Sequence, residues 1–249
     1  MGNLMLGVQI KKESKTDILE KIKKYLLHPH GFFHIVSLNP ENMVIAQKDH
    51  VFKEVLNKAQ IKLIDGVGVV LAGRILHRDL GKRTPGVDFM ENLLHIASLG
   101  RLRVVLIGGR GNLAETLADC YNREFSEAKF LGLEGFKDIK KPKESESKKL
   151  FSIVADYKPH FLFAAFGSPD QELWLWRNRR HFEGIVCMGV GGGFDFPAGR
   201  VRRAPLLVRK LGFEWLYRLV LQPWRIKRQL RLPLFLWLVF KEKLTPGSS

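Results

Sequence analysis

Cysteine is nearly missing from this chain: Cys120 and Cys187 are the two among 249 residues, set in apolar surroundings with no CxxC spacing. A disulfide framework is excluded as the basis of the fold, both thiols are expected to be buried and inert, and a reducing compartment fits. Long apolar runs are missing as well. The most apolar one, Leu234 to Phe240, covers seven residues after Pro233, whereas roughly 20 are needed to cross a bilayer, so it can dip into a membrane without spanning it. No secretory signal opens the chain, because the short mixed segment Met1 to Ile10 runs at once into Lys11, Lys12 and Glu13; a cytoplasmic location is expected. Several catalytic signatures are absent. The eight histidines and two cysteines show no zinc-ligand spacing, and there is no DxD pair, no P-loop GxxxxGK[ST] and no GxSxG elbow. Metal-dependent catalysis is therefore disfavoured, and neither metal nor cofactor is expected.

Acidic residues are the remaining shortage, 25 against 41 Lys and Arg, for a net charge of +16. From residue 200 onward twelve bases face only Glu214 and Glu242, so most of the excess sits in the last fifth of the chain. Such a field favours anionic partners, whether nucleic acid, anionic lipid or a diphosphate. Most of those bases are arginine, the side chain suited to bidentate phosphate contact.

What is present reads as alternating strands and helices. Apolar, β-branched or aromatic runs fall at Phe32 to Leu38, Ile61 to Ile64, Val104 to Ile107, Phe161 to Phe166 and Ile185 to Val190, with a weaker one near Leu6 to Ile10. Amphipathic stretches lie between them, among them Thr16 to Leu27, Glu41 to Ala59 and Leu113 to Phe125. The pattern predicts an α/β fold, a Rossmann-like, mainly parallel sheet flanked by helices. Lys137 to Lys149 is expected to be a charged surface loop. After Pro205 the pattern turns helical from Leu206 to Leu221, with breaks expected at Pro223 and Pro233. The chain thus divides into a core of residues 1–200 and a basic helical C-terminal appendage of residues 201–249.

In an open parallel sheet ligands bind beyond the carboxyl ends of the strands. The residues there are Ser37 and Asn39, then Asp65 with Gly66 and Gly68, then Gly108, Gly109 and Gly111, then Gly167, Pro169 and Gln171, and finally Gly191, Gly192, Gly193 and Asp195. The segment after Val104 also matches GxGxxA through Gly109, Gly111 and Ala114, with Glu134 near the end of the next strand as a candidate ribose-binding acid. A tight βα turn needing positive φ would use the same glycines. Asp65 reads equally as a helix cap or as a carboxylate facing a cleft; as a base it would need its pKa raised from about 3.9.

Taken together, IDGVGVV from Ile64, RTPGVD from Arg83, LIGGRGNLAE from Leu106, AFGSPDQELW from Ala165 and GVGGGFDFPAGRVRRAP from Gly189, followed by GFEWLYRLVLQPWRIKR, resemble the WecG/TagA/CpsF glycosyltransferase family. The likeness runs in order from about Val36 to Arg228. It implies transfer of N-acetylmannosamine, or a related hexose or uronic acid, from a UDP-sugar donor to a saccharide on an undecaprenyl diphosphate carrier. The product would be a β-linked disaccharide-lipid for a bacterial surface polymer, formed with inversion and without a required metal. By the same resemblance Asp65 is the general base, and Ser37, Asn39, Arg83 and Gln171 surround sugar and diphosphate. Ser37 stands where threonine is frequent, keeping the hydroxyl and losing the methyl. Asp195 falls on the UDP side, Phe136 where an aromatic ring stacks on uracil, and Arg218, Arg225 and Arg228 reach over the site towards phosphates.

The partners expected are the UDP-sugar, a polyprenyl-diphosphate-linked saccharide and an anionic inner-membrane surface on which the protein sits peripherally through Trp224, Trp237 and the Leu234 to Phe240 run; nucleic acid is not expected, and a homo-oligomer is left open. Two rivals remain. A nicotinamide-dependent oxidoreductase would use Gly109, Gly111, Ala114 and Glu134, and a nucleic-acid-binding protein would use the basic tail with its tryptophans.

Overall fold

A computed structural model describes residues 3–223 and 226–245. The first element is a hairpin of β1 (Asn3–Met5) and β2 (Val8–Ile10), antiparallel and separate from the main sheet. The weak run near Leu6 is thus half a hairpin rather than a strand of the parallel sheet, because Leu6 and Gly7 both take positive φ and reverse the chain. The remaining elements are α1 (Lys15–Leu27), β3 (Phe33–Leu38), α2 (Pro40–Lys48), α3 (His50–Lys58), β4 (Ile61–Ile64), α4 (Val67–Ile75), α5 (Gly86–Leu99), β5 (Arg103–Gly108), α6 (Leu113–Glu124) and β6 (Lys129–Leu133). There follow α7 (Glu144–Tyr157), β7 (Phe161–Ala165), α8 (Asp170–Arg177), β8 (Val186–Gly189), α9 (Leu206–Lys210), α10 (Glu214–Leu221), α11 (Ile226–Gln229) and α12 (Arg231–Leu244).

Six strands form one sheet in the order β4-β3-β8-β7-β5-β6, every pairing parallel. The α/β expectation holds. Alternate residues of each central strand serve opposite faces, as the two-residue pleat requires. Phe33 and Ile35 of β3, Val104 and Leu106 of β5, and Phe161 and Phe163 of β7 face α1, α5 and α6. Val36 and Leu38 meet α2, α3 and α12 on the other side, where Val105, Leu162 and Cys187 meet α7 and α8. The sheet order changes direction at β3, β8 and β7, and the carboxyl ends of these strands carry the loops that matter below.

Several local boundaries differ from the sequence pattern for identifiable reasons. Glu41 to Ala59 is two helices, because Asp49 is extended; its side chain accepts from the Phe52 amide at 2.9 Å and starts α3 afresh. The charged stretch 137–149 is loop only to Lys143, since Glu144 and Glu146 open α7 and suit a helix N-terminus. Leu206 to Leu221 is interrupted at Gly212, which has φ +82 and lies so close to Val67 that a Cβ would come within 2.8 Å. Pro233 does not break a helix but lies in the first turn of α12, where a missing N–H is harmless. Consequently the Leu234 to Phe240 run belongs to a helix docked against α2 and α4, with Phe235 and Val239 fully buried. Of the two cysteines Cys187 is buried as expected, whereas Cys120 is exposed on the outer face of α6.

Candidate active site

Two cavities open at the carboxyl edge of the sheet. The first, about 490 Å³, lies beyond β3 and β4 and is covered by the segment from α9 to α12. Asp65 leaves β4 directly: its amide and that of Gly66 donate to the Leu38 carbonyl at 3.0 and 3.2 Å, joining the two strand ends in one turn. Two glycines make the close approach possible. A Cβ on Gly66 would lie 2.6 Å from the Pro40 ring, and one on Gly86 would lie 2.7 Å from Ser37 Oγ, so the start of α5 comes directly onto the ends of β3 and β4.

The Gly86 amide donates to the Asp65 carboxylate. Even so, burial dominates and pushes the Asp65 carboxyl up to about 6; the Gly86 hydrogen bond and Arg83 pull it down, and the Glu214 and Asp88 carboxylates push it up again. A carboxylate poised there holds a proton far more readily than a free aspartate, which is what general-base work near neutral pH requires.

Arg83 donates through Nε to the Asp65 carbonyl at 2.8 Å and through Nη1 to the Arg209 carbonyl at 3.0 Å, and its Nη2 lies 3.8 Å from Glu214. It fastens α9 and α10 to the Asp65 turn. Arg218, on α10, places its guanidinium 4.6 Å from the centre of the Phe196 ring, and its Nε and Nη2 are buried with no hydrogen-bond partner. Burial lowers its pKa, opposed by Asp195 and Glu214. Buried guanidinium N–H groups with no protein acceptor, set beside a cavity, are suited to donate to an anionic oxygen. Arg228 is engaged differently: with Arg231 it grips the Glu41 carboxylate at the start of α2, its Nε at 2.7 Å.

The second cavity, about 610 Å³, lies beyond β5, β7 and β8. Glycines form much of its wall. Gly109, Gly167 and Gly191 all have positive φ, and Gly167 has nothing within 4 Å of a would-be Cβ, so the wall there is bare backbone with room beside it. Phe136 stands on the opposite wall, packed 5.5 Å from the Trp174 ring, and Arg110, Lys137, Lys140 and Arg200 supply positive charge around Asp138 and Asp195. The two cavities share a partition: consecutive residues Asp195 and Phe196 line the second and the first respectively, and so do Gln222 and Arg218.

The candidate residues therefore divide. Asn39, Asp65, Arg83, Arg218 and Arg228 line the first cavity, and Gly109, Phe136, Gly167, Gly191, Gly192 and Asp195 line the second. Ser37, Gly108 and Gln171 line neither. Ser37 packs on Gly86, and Gly108 sits under the Phe166 ring, where a Cβ would come within 2.6 Å. Gln171 is buried, its Oε1 accepting from the amides of Gly167 at 3.0 Å and Gly191 at 2.9 Å while its Nε2 donates to Glu172 at 2.8 Å. It clamps two glycine turns of the second cavity together. Asn39 also caps α2, accepting from the Asn42 amide at 2.9 Å. Arg225 and Trp224 lie outside the described residues. Among the described residues no group of three or more His, Cys, Asp and Glu converges as a metal site. Sequence reasoning missed Glu41, Phe196 and Glu214 as cavity residues; only Glu214 carried a signal, as one of two acids in a basic tail.

The model of the Glycosyl transferase WecG/TagA/CpsF family matches residues 4–249. The chain belongs to that family. It is 31% identical over 240 residues to proteins of Staphylococcus aureus strains NCTC 8325 / PS 47 and COL, each named N-acetylglucosaminyldiphosphoundecaprenol N-acetyl-beta-D-mannosaminyltransferase, covering 96% of this chain and 92% of theirs. The protein of the same name in strain MRSA252 is 30% identical over the same lengths. As a WecG/TagA/CpsF glycosyltransferase the chain is an enzyme, and its GxGxxA turn is a wall of the second cavity rather than a nicotinamide signature. Glu134, the acid that reading needed, is exposed and lines neither cavity.

Proposed function

We propose that this protein transfers N-acetylmannosamine from a UDP-sugar to N-acetylglucosamine on an undecaprenyl diphosphate carrier, inverting the anomeric carbon in one displacement. The reading rests on the names of the relatives together with one structural observation. The cavity that holds a carboxylate raised to about 6 and the cavity walled by glycine turns share the Asp195–Phe196 partition beneath Arg218.

In this reading the donor nucleotide lies in the glycine-walled cavity, its base against Phe136 and its diphosphate beside the glycine turns of Gly167, Gly191 and Gly192, which leave room for it. The acceptor sugar enters the cavity of Asp65. Its hydroxyl oxygen bonds to the donor anomeric carbon as the proton passes to the Asp65 carboxylate, and the bond to the β-phosphate oxygen breaks, releasing UDP. Negative charge developing on that phosphate is met by Arg218, whose free N–H groups face the partition, with Arg228 as a further donor once Glu41 yields and Arg225 in the role that the family resemblance implies.

A peripheral position on the inner face of the membrane follows from the acceptor. No helix among the described residues is long and apolar enough to cross a bilayer. Leu206, Leu207 and Val220 of the covering segment and Trp237 and Phe240 of α12 are all at least half exposed, with Lys241 Nζ 5.5 Å from the centre of the Trp237 ring.

Incubating the protein with a panel of UDP-hexoses and a short-chain GlcNAc-diphosphate-lipid, with mass analysis of products, tests the whole reading. UDP-N-acetylmannosamine should give a disaccharide-lipid. Product from a different donor alone would correct the sugar, and no transfer from any donor would remove the proposal.

A further inference from the structure

Glu214 opens α10, and its carboxylate is the acid between two arginines of different segments: Oε2 lies 3.8 Å from Arg83 Nη2 and Oε1 lies 3.6 Å from Arg203 Nε. Its side chain is only 14% exposed, and what remains accessible faces the cavity of Asp65. Arg83 in turn holds the Asp65 carbonyl and the Arg209 carbonyl, and Arg203 pairs with Asp88 and Glu91 of α5. One carboxylate of the covering segment is thus tied to both flanks of the base, the turn after β4 and the first turns of α5.

We propose that Glu214 is a positioning residue of the transfer reaction: it holds Arg83 against the Asp65 turn and seats the start of α10, so that closure of the covering segment and assembly of the base and of Arg218 are one event. The proposal rests on the reading of Asp65 as the base. The charged groups facing Asp65 are Arg83 from the preceding loop, Asp88 of α5, and Glu214 and Arg218 of α10, with Glu41 of α2 and Arg228 of α11 across the cavity. Glu214 acts on Asp65 and Arg218 in the same sense, favouring the protonated form of each, while Arg83 opposes it at Asp65. Without the Glu214 charge, Arg83 stands uncompensated beside Asp65, and the base titrates at lower pH.

The test uses the full chain with UDP-N-acetylmannosamine and the short-chain lipid acceptor. Glu214→Gln should lower kcat by roughly tenfold to a hundredfold, the scale of a misplaced catalytic group, and move the acid limb of the kcat profile to lower pH, while KM for the donor changes little. Glu214→Asp, which keeps the charge on a shorter arm, should restore the limb to its original pH with only part of the rate, and it carries the test if the glutamine variant does not fold. Arg203→Gln is the control for simple fastening. If it reproduces the loss without moving the limb and Glu214→Gln does no more, the role is structural and the proposal fails. A Glu214→Gln profile that overlays the parent also overturns it. Asp65→Asn separates the two levels: a dead Asp65→Asn with an unmoved Glu214→Gln limb sinks the positioning role alone, whereas an active Asp65→Asn removes the base and this inference with it.

Discussion

At the scale of single residues, Asp65 and Arg218 are each held in a condition that a folded chain avoids unless something is gained. Asp65 is a half-buried carboxylate with neighbouring acids, and its pKa is higher in the fold than in the unfolded chain. The sign of the linkage follows. A group with a raised folded pKa contributes stability that is fully present below the unfolded value and is lost as pH rises through the folded one, here between 3.8 and about 6. Asp65→Asn should therefore melt at a higher temperature than the parent at about pH 8, with the gap narrowing towards about pH 4. The same variant should bind UDP-sugar yet lose transfer by roughly 100- to 10,000-fold, the range for a general base; a variant that is both less stable at about pH 8 and fully active would contradict both readings of the site. Arg218 is the complementary case, a cation with two buried N–H groups unmatched. Arg218→Ala should cost about 100- to 1000-fold in kcat, the usual loss for one oxyanion donor, and steady-state rates on folded variant settle it.

Elements fail or succeed by their junctions. The sequence marks β3, β4, β5, β7 and β8 by their apolar runs, whereas the edge strand β6 is expected only as the next strand ending near Glu134, since its five residues include Gly132 and carry little pattern. That glycine is demanded by packing, since a Cβ there would fall 2.3 Å from the Glu115 Cα of α6. Gln171 illustrates the same scale at the site. Its type and its place after β7 are legible in the sequence, yet its job is to join the turns after β7 and β8 from below. Gln171→Leu strands the amides of Gly167 and Gly191, at about 1–3 kcal/mol for each buried donor left unpaired. The expected phenotype is a lower melting temperature with KM for the donor raised more than KM for the acceptor. Equal effects on both substrates would instead place Gln171 at the reacting atoms.

For the molecule as a whole, the covering segment is not a removable tail. Phe235 and Val239 of α12 complete a core cluster with Met5, Val36 and Val69, so deleting the last helices opens the interior as well as removing the membrane face. Membrane association is better probed at the surface. Trp237→Glu with Phe240→Glu should abolish flotation with anionic liposomes while leaving the melting temperature close to that of the parent, because both side chains are more than half exposed. Flotation that survives both substitutions would point to the Leu206–Leu207 end instead. The charge imbalance fits this division: Arg203, Arg209, Arg228 and Arg231 of the tail are matched against Asp88, Glu91 and Glu41 of the core, so part of the tail's charge fastens it there.

Local chemistry by itself determined the strand-helix alternation, the parallel sheet and the glycine turns at its carboxyl edge, because periodicity and turn conformation are set by near neighbours. It also supplied Asp65 and the arginines as types at the right places. Only the tertiary structure decided their partners. That Gln171 faces inward, that Arg228 is gripped by Glu41, that Glu214 lies between Arg83 and Arg203, and that Asp195 and Phe196 line different cavities all depend on contacts between segments up to 190 residues apart. Such contacts leave no period in the chain, since ion pairing and desolvation are fixed by distance in space rather than by spacing in sequence.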